Sequence, residues 1–99
     1  ASALAGEPVQ AAIVTHIYGR LARIDEIAAL CRTHSVPLIE DCAQAHGARL
    51  ADGRIAGAFG DLGCFIFYPT KNLGALGDGG AVVTSNPELG AVVRQLRQY

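Results

Sequence analysis

The sequence predicts an α/β fold: a partial, mixed but mostly parallel sheet with flanking helices. Apolar runs of strand length alternate with stretches of helical periodicity along the chain. The first strand, helix and second strand have the spacing of a βαβ unit, which implies parallel strands joined by a crossover.

Ala11–Thr15 reads as a short buried strand, closed by a loop at Tyr18 and Gly19. Ile24, Ile27, Ala28 and Cys31 then recur at helical spacing, with Asp25 and Glu26 in the first turn, where the helix dipole favours acids. Pro37 disfavours the helical conformation in the residue before it, so this helix should end by Ser35. Val36–Ile39 is a second apolar strand ending at Glu40 and Asp41. Arg49–Ile55 predicts a hairpin turned at Asp52-Gly53, a pair suited to a type I′ turn. Gly63–Tyr68 is an aromatic-rich strand with Phe65 and Phe67 on one face, and Ala81–Thr84 is another strand. The last helix starts at Ser85-Asn86-Pro87-Glu88, either as a capping box from Ser85 to Glu88 or with Asn86 as cap and Pro87 at the first helical position. Leu89, Val92, Val93 and Leu96 line one face of it.

The chain reaches Tyr99 inside that helix without a stop signal, and a parallel sheet needs helices over both faces. Residues 1–99 are therefore expected to be the central part of a single larger α/β domain, incomplete at both ends.

Composition excludes several classes of function. With 51% hydrophobic residues the chain is too apolar for disorder. A net charge of −1, with basic residues scattered, gives no electrostatic reason to expect nucleic acid or anionic membrane as a partner. Cys31, Cys42 and Cys64 are odd in number and lack a C-x-x-C pair, so they read as small buried hydrophobes in a reducing compartment. The N-terminal stretch lacks a basic start, and its unbroken apolar run Ala11–Val14 is far shorter than the roughly 18 residues a membrane span needs. Cytoplasm is the expected location.

Chemistry concentrates at two places. In open α/β sheets ligands sit beyond the carboxyl ends of strands, which suits Asp41 for binding; its alternative is to cap the short turn through Ala43. Gln44, three residues on, lies on the same side of any helical turn begun there, whereas Glu40 points to the opposite face and reads as structural. Lys71 is the only lysine, set between Tyr68-Pro69-Thr70 and Asn72 ahead of the glycine-rich stretch GALGDGG. It is either a surface lysine or one held close to a ligand, where lost solvation lowers its pKa toward nucleophilic range. An acid on a strand end and a lysine in a tight loop together suit a pyridinium aldehyde, the acid on the ring nitrogen and the lysine forming an imine. GALGDGG has neither phosphate-loop pattern and reads as a tight connection between strands. Among the histidines, His16 is expected at the surface in the loop after the first strand, with a substrate-side role as its alternative. His46 is expected to be a structural residue satisfied by backbone, with a place beside the site as its alternative, and His34 sits at a helix C-terminus. Their spacing suggests no zinc site.

The runs IEDCAQAHGA (Ile39–Ala48), FIFYPTKNLGALGDGGAVVT (Phe65–Thr84) and THIYGR (Thr15–Arg20) resemble the DegT/DnrJ/EryC1/StrS sugar aminotransferases. These are pyridoxal 5'-phosphate enzymes of fold type I, several times longer than this chain. The resemblance implies that Lys71 holds the cofactor covalently and, once displaced, shuttles a proton; that Asp41 pairs with the pyridine nitrogen; and that Gln44 hydrogen-bonds near the phenolic oxygen. It further implies a nucleotide-linked keto sugar as acceptor, an amino acid such as glutamate as donor, and a homodimer. Lysine rather than histidine at position 71 separates the chain from the related sugar dehydratases. One departure stands out: the family typically places a phosphate-contacting serine five residues before the lysine, and here that residue is Ile66. The alternative reading is a non-catalytic fragment or degenerate homologue that has lost cofactor binding.

Overall fold

A computed structural model describes residues 8–97, with residues 3 and 6 ahead of them. Its centre is a four-stranded sheet in the order β1-β2-β3-β4, formed by β1 (Ala12–Thr15), β2 (Leu38–Asp41), β3 (Leu62–Ile66) and β4 (Gly80–Val83). β1 pairs with β2 and β2 with β3 in parallel, while β3 and β4 are antiparallel. The mostly parallel sheet expected from the sequence is present, and its antiparallel edge has a simple origin. No helix separates β3 from β4, and the pairing continues past the strand ends with Phe67 N donating to Gly79 O at 2.7 Å.

The crossover between β1 and β2 is α1 (Ile24–Thr33), whose Ile24, Ala28 and Cys31 pack on Val14 and Leu38 to form the main core. Its end is closed by two bonds, Val36 N to Cys31 O (2.9 Å) and Ser35 N to Arg32 O (3.1 Å), with Ser35 at φ 53°. This is a Schellman closure with serine in the left-handed position that glycine usually takes. Because side chains alternate along a strand, Val14, Leu38 and Glu40 face α1 and the segments packed beside it. Thr15, Ile39 and Asp41 face the other way.

The second helix, α2 (Pro87–Leu96), resolves the choice left open at its start. Asn86 is the cap, its side chain accepting from Glu88 N at 2.9 Å and Leu89 N at 3.3 Å, with Pro87 at the first helical position. Its apolar stripe is only shallowly covered: no residue of α2 is buried, and Val92 and Leu96 are exposed. The reading that the chain ends within this helix concerns residues 98 and 99, which lie outside the described residues.

The hairpin at 49–55 forms, with Arg49 bridging Ile55, but its turn differs from the type I′ expected. That turn needs positive φ at both central residues, and here Gly53 alone has it, at 91°. Leu50 O instead accepts from Gly53 N at 3.0 Å and Leu50 N donates to Arg54 O at 2.9 Å, giving a three-residue loop. Asp52 keeps the ordinary backbone because its carboxylate is engaged with the Arg54 amide (3.1 Å) and guanidinium (2.7 Å). Among the described residues no helix is long and apolar enough to cross a membrane.

Candidate active site

Asp41 stands at the carboxyl end of β2. Its Oδ1 accepts from Ala43 N at 3.0 Å and its Oδ2 from Thr15 Oγ1 at 3.4 Å, Thr15 being its register partner on β1. The turn-capping role is thus real, and it is compatible with a second one. An ionised carboxylate has roughly four lone-pair positions, so two remain for a ligand. Beyond Asp41 the chain folds back through Cys42–Ala45 (Ala45 N to Cys42 O, 3.0 Å), and Gln44 O accepts from Gly19 N at 2.8 Å. That last bond ties the loop after β1 to the loop after β2.

Lys71 lies in the excursion between β3 and β4. Its amide donates to Tyr68 O at 2.8 Å, and Ala75 N closes the loop onto Phe67 O at 2.7 Å. Gly74 permits this closure, since a Cβ there would lie 2.8 Å from Pro69 O. Lys71, half-buried, lines an open cleft of about 520 Å³ with Tyr18, Gly19, Ala43, Gln44, Thr70 and Asn72. The structure therefore brings Lys71 and Gln44 to one cleft. Asp41 is not among its lining residues and adjoins it through Ala43. A larger hollow of about 660 Å³ lies between β3, β4 and α2, and none of these candidate groups lines it.

The lip of the cleft includes two residues that the sequence reading left without a ligand role, Tyr18 and Asn72. Tyr18 has φ 56°, and left-handed backbone costs a residue with a Cβ about 1–2 kcal/mol. Its place before a glycine at a strand end was the available signal.

Immediately behind Asp41 the expectation for His16 is corrected. His16 is fully buried, not at the surface, and its Nε2 lies 3.0 Å from Glu40 Oε2. Ala22 N donates to His16 Nδ1 at 3.1 Å, so the ring proton belongs on Nε2 and is given to the carboxylate. Glu40 also accepts from Gly57 N (2.8 Å), Phe59 N (2.7 Å) and Gly60 N (2.7 Å). The approach depends on glycine: Gly57 has φ 87°, and a Cβ on Gly63 would lie 2.5 Å from Gly57 Cα. Burial alone raises the Glu40 pKa, but the bonds from His16, Gly60, Gly57 and Phe59 outweigh it and hold the carboxyl below its ordinary value. Glu40 is structural, as its position on the strand suggested.

His16, Glu40 and Cys42 place donor atoms within 4.8 Å of one another. Hydrogen bonds already engage the His16 and Glu40 atoms. The Cys42 thiol is pushed up to about 12 by burial and by the nearby charges of Glu40 and Asp41, which keeps it protonated. Burial and Asp41 likewise raise Cys64, so neither thiol is activated.

His46 also departs from expectation. Its ring lies between Phe65 and Phe67, with centroids 5.7 and 5.8 Å away, and its buried Nε2 has no partner among the described residues. Backbone does not satisfy it because two aromatic rings, which offer no strong acceptor, occupy its surroundings. The same contacts confirm that Phe65 and Phe67 share a face. Ile66, on the opposite face at the end of β3, is 45% exposed.

The sequence model of the DegT/DnrJ/EryC1/StrS aminotransferase family matches residues 3–99. A UDP-N-acetyl-3-dehydro-alpha-D-glucosamine 3-aminotransferase of Acidithiobacillus ferrooxidans is 51% identical over 90 residues, covering 91% of this chain and 24% of that protein. Among solved structures, DesI in the presence of its TDP-sugar product superposes with a TM-score of 0.85 at 38% identity, over 95% of this chain and 24% of that one. NtdA of Bacillus subtilis with bound cofactor PMP gives a TM-score of 0.67 at 29% identity, over 78% of this chain and 17% of that one. The chain thus spans about a quarter of the length of the curated relative it matches. With a family match across nearly its whole length and a shared fold, the chain belongs to the DegT/DnrJ/EryC1/StrS aminotransferase family.

Proposed function

We propose that this chain is the central part of the cofactor-binding domain of a pyridoxal 5'-phosphate-dependent aminotransferase. In its complete form the protein moves an amino group from an amino acid, glutamate in our reading, to a nucleotide-linked keto sugar. The observation that carries this is the shared cleft of Lys71 and Gln44 at the carboxyl ends of parallel strands, with Asp41 adjoining it. The donor set suits pyridoxal phosphate: one amine and one amide lining about 520 Å³ of open space, and one carboxylate with free lone pairs adjoining it through Ala43. When bound, that cofactor supplies an electrophilic carbon and an electron sink.

This chain's own residues do the rest. Asp41 holds a proton on the ring nitrogen by charge and hydrogen bonding, and the Thr15 and Ala43 donors keep its carboxylate oriented. Lys71 Nζ would hold the cofactor and, when free, would take the proton from the donor α-carbon and deliver it to the cofactor's aldehyde carbon. Gln44 orients the ring from its polar edge. Phosphate anchoring cannot use the side chain of Ile66, which has no donor; Thr70, in the cleft beside Lys71, is the hydroxyl at hand. The Asp41 face of the sheet, carrying exposed Ile13, Ile66 and Val82, fits a domain completed by segments outside this chain. A homodimer in the cytoplasm completes this reading.

Ile66 gives the second reading its footing, a homologue that has lost the cofactor. Titrating pyridoxal phosphate into the complete protein separates the two. The enzyme reading expects a saturable yellow absorption band that Lys71→Ala abolishes. A folded protein that develops no band is the degenerate homologue.

A further inference from the structure

Ile17-Tyr18-Gly19-Arg20 closes on itself, Arg20 N donating to Ile17 O at 3.0 Å, with φ 56° at Tyr18 and 71° at Gly19. Positive φ at both central positions is the type I′ pattern, which strongly favours asparagine, aspartate or glycine in the first of them. A bulky tyrosine there is an outlier, held in place because Gly19 N is also fixed to Gln44 O at 2.8 Å. The ring contributes little to the core, being 90% exposed. The residue nonetheless lies at the lip of the cleft that holds Lys71. Backbone held in a disfavoured region, under a side chain left 90% exposed, is the kind of strain that collects at ligand-binding positions.

We infer that Tyr18 is a specificity-determining residue for the acceptor sugar, its ring packing on the apolar C–H face of the pyranose and its phenol meeting the hydroxyl edge. This rests on the aminotransferase reading and extends it. The cleft residues favour the sugar over the amino-acid donor. Recognition of a donor's α-carboxylate calls for a guanidinium, and no arginine lines this cleft. Its neutral groups, Gln44, Thr70, Asn72 and the Tyr18 phenol, instead match a polyhydroxylated ring. Tyrosine suits such a ligand because it joins an apolar body to a polar tip.

The test uses the complete protein loaded with pyridoxal phosphate, comparing Tyr18→Asn and Tyr18→Phe with the parent. The two half-reactions are followed separately by cofactor absorbance, and nucleotide-sugar binding to the aminated form by calorimetry. Asparagine is at home in left-handed backbone, so Tyr18→Asn is expected to hold or raise the thermal midpoint. It should also weaken sugar Kd and KM by about tenfold more than the amino-donor KM. Tyr18→Phe keeps the ring and should lose about threefold, still on the sugar side. Equal losses in both half-reactions, or unchanged sugar binding in Tyr18→Asn, would overturn the inference while leaving the enzyme reading intact. Should Tyr18→Asn not fold, Tyr18→Phe decides by the same ratio. Failure to take up cofactor, visible before any substrate is added, would defeat the aminotransferase reading itself and this inference with it.

Discussion

Two adjacent acids on β2 face opposite regions of this molecule and have opposite fates. Behind the strand, Glu40 is sealed from water and receives four donors, from His16, Gly57, Phe59 and Gly60. In front, Asp41 is half-buried with two donors, Thr15 and Ala43, and has lone pairs to spare. One carboxylate is spent on the fold, and the other keeps the free lone pairs that our proposed function uses. The difference arises from strand alternation, which turns neighbouring side chains to opposite faces. It also shows how the site gains rigidity, because the Glu40 cluster fixes β1, β2 and the 57–60 segment together just beneath it.

Removing the rear acid should have the largest effect. Glu40→Ala leaves one buried and two part-buried amides and the His16 imidazole without their acceptor, and is expected to cost about 3–5 kcal/mol of stability by denaturant unfolding. The matching change in front sharpens the contrast. Asp41→Asn keeps an acceptor for Ala43 N and should alter stability by less than about 1 kcal/mol, while the amination rate falls by about 10² or more. If the two variants exchanged roles, Asp41 being the structural acid, the division between back and front would be wrong.

A smaller, graded effect comes from pH. The folded Glu40 carboxyl lies below its ordinary 4.5, so its proton binds more tightly in the unfolded chain. Its contribution is fully present above that unfolded value and is lost as pH falls through the folded one. Stability of the parent should therefore drop below about pH 4.5, and in Glu40→Gln that part of the slope should be missing. An unchanged acid slope in Glu40→Gln would show that other groups carry it.

Much of this contrast was legible in the sequence, because period-two alternation depends only on neighbours. It sufficed to put Glu40 and Asp41 on opposite faces and to set Phe65 and Phe67 together, while the local capping chemistry of Ser85-Asn86-Pro87-Glu88 offered Asn86 as one of two caps. Lys71 and Gln44 were legible as chemistry-bearing residues, and their meeting at one cleft is a property of the loops after β1, β2 and β3. What stayed hidden depended on distant partners. His16 is buried because an acid 24 positions away and the amides at 57–60 close over it. The turn at Asp52 was misread because Arg54 engages that carboxylate and leaves only Gly53 left-handed. His46 has an orphaned nitrogen because both aromatic neighbours lie on β3 and its extension, which no local pattern reveals. The exposure of α2 was equally beyond local reading, since an amphipathic stripe states which face could be covered and not whether anything covers it.

The central claim is that Lys71 is the residue that holds pyridoxal phosphate, in the cleft it shares with Gln44. Borohydride reduction of the cofactor-treated complete protein, followed by peptide mass mapping, tests it directly. The account predicts one phosphopyridoxyl adduct, on the peptide containing Lys71. An adduct on another residue, or none in a folded protein, would contradict it.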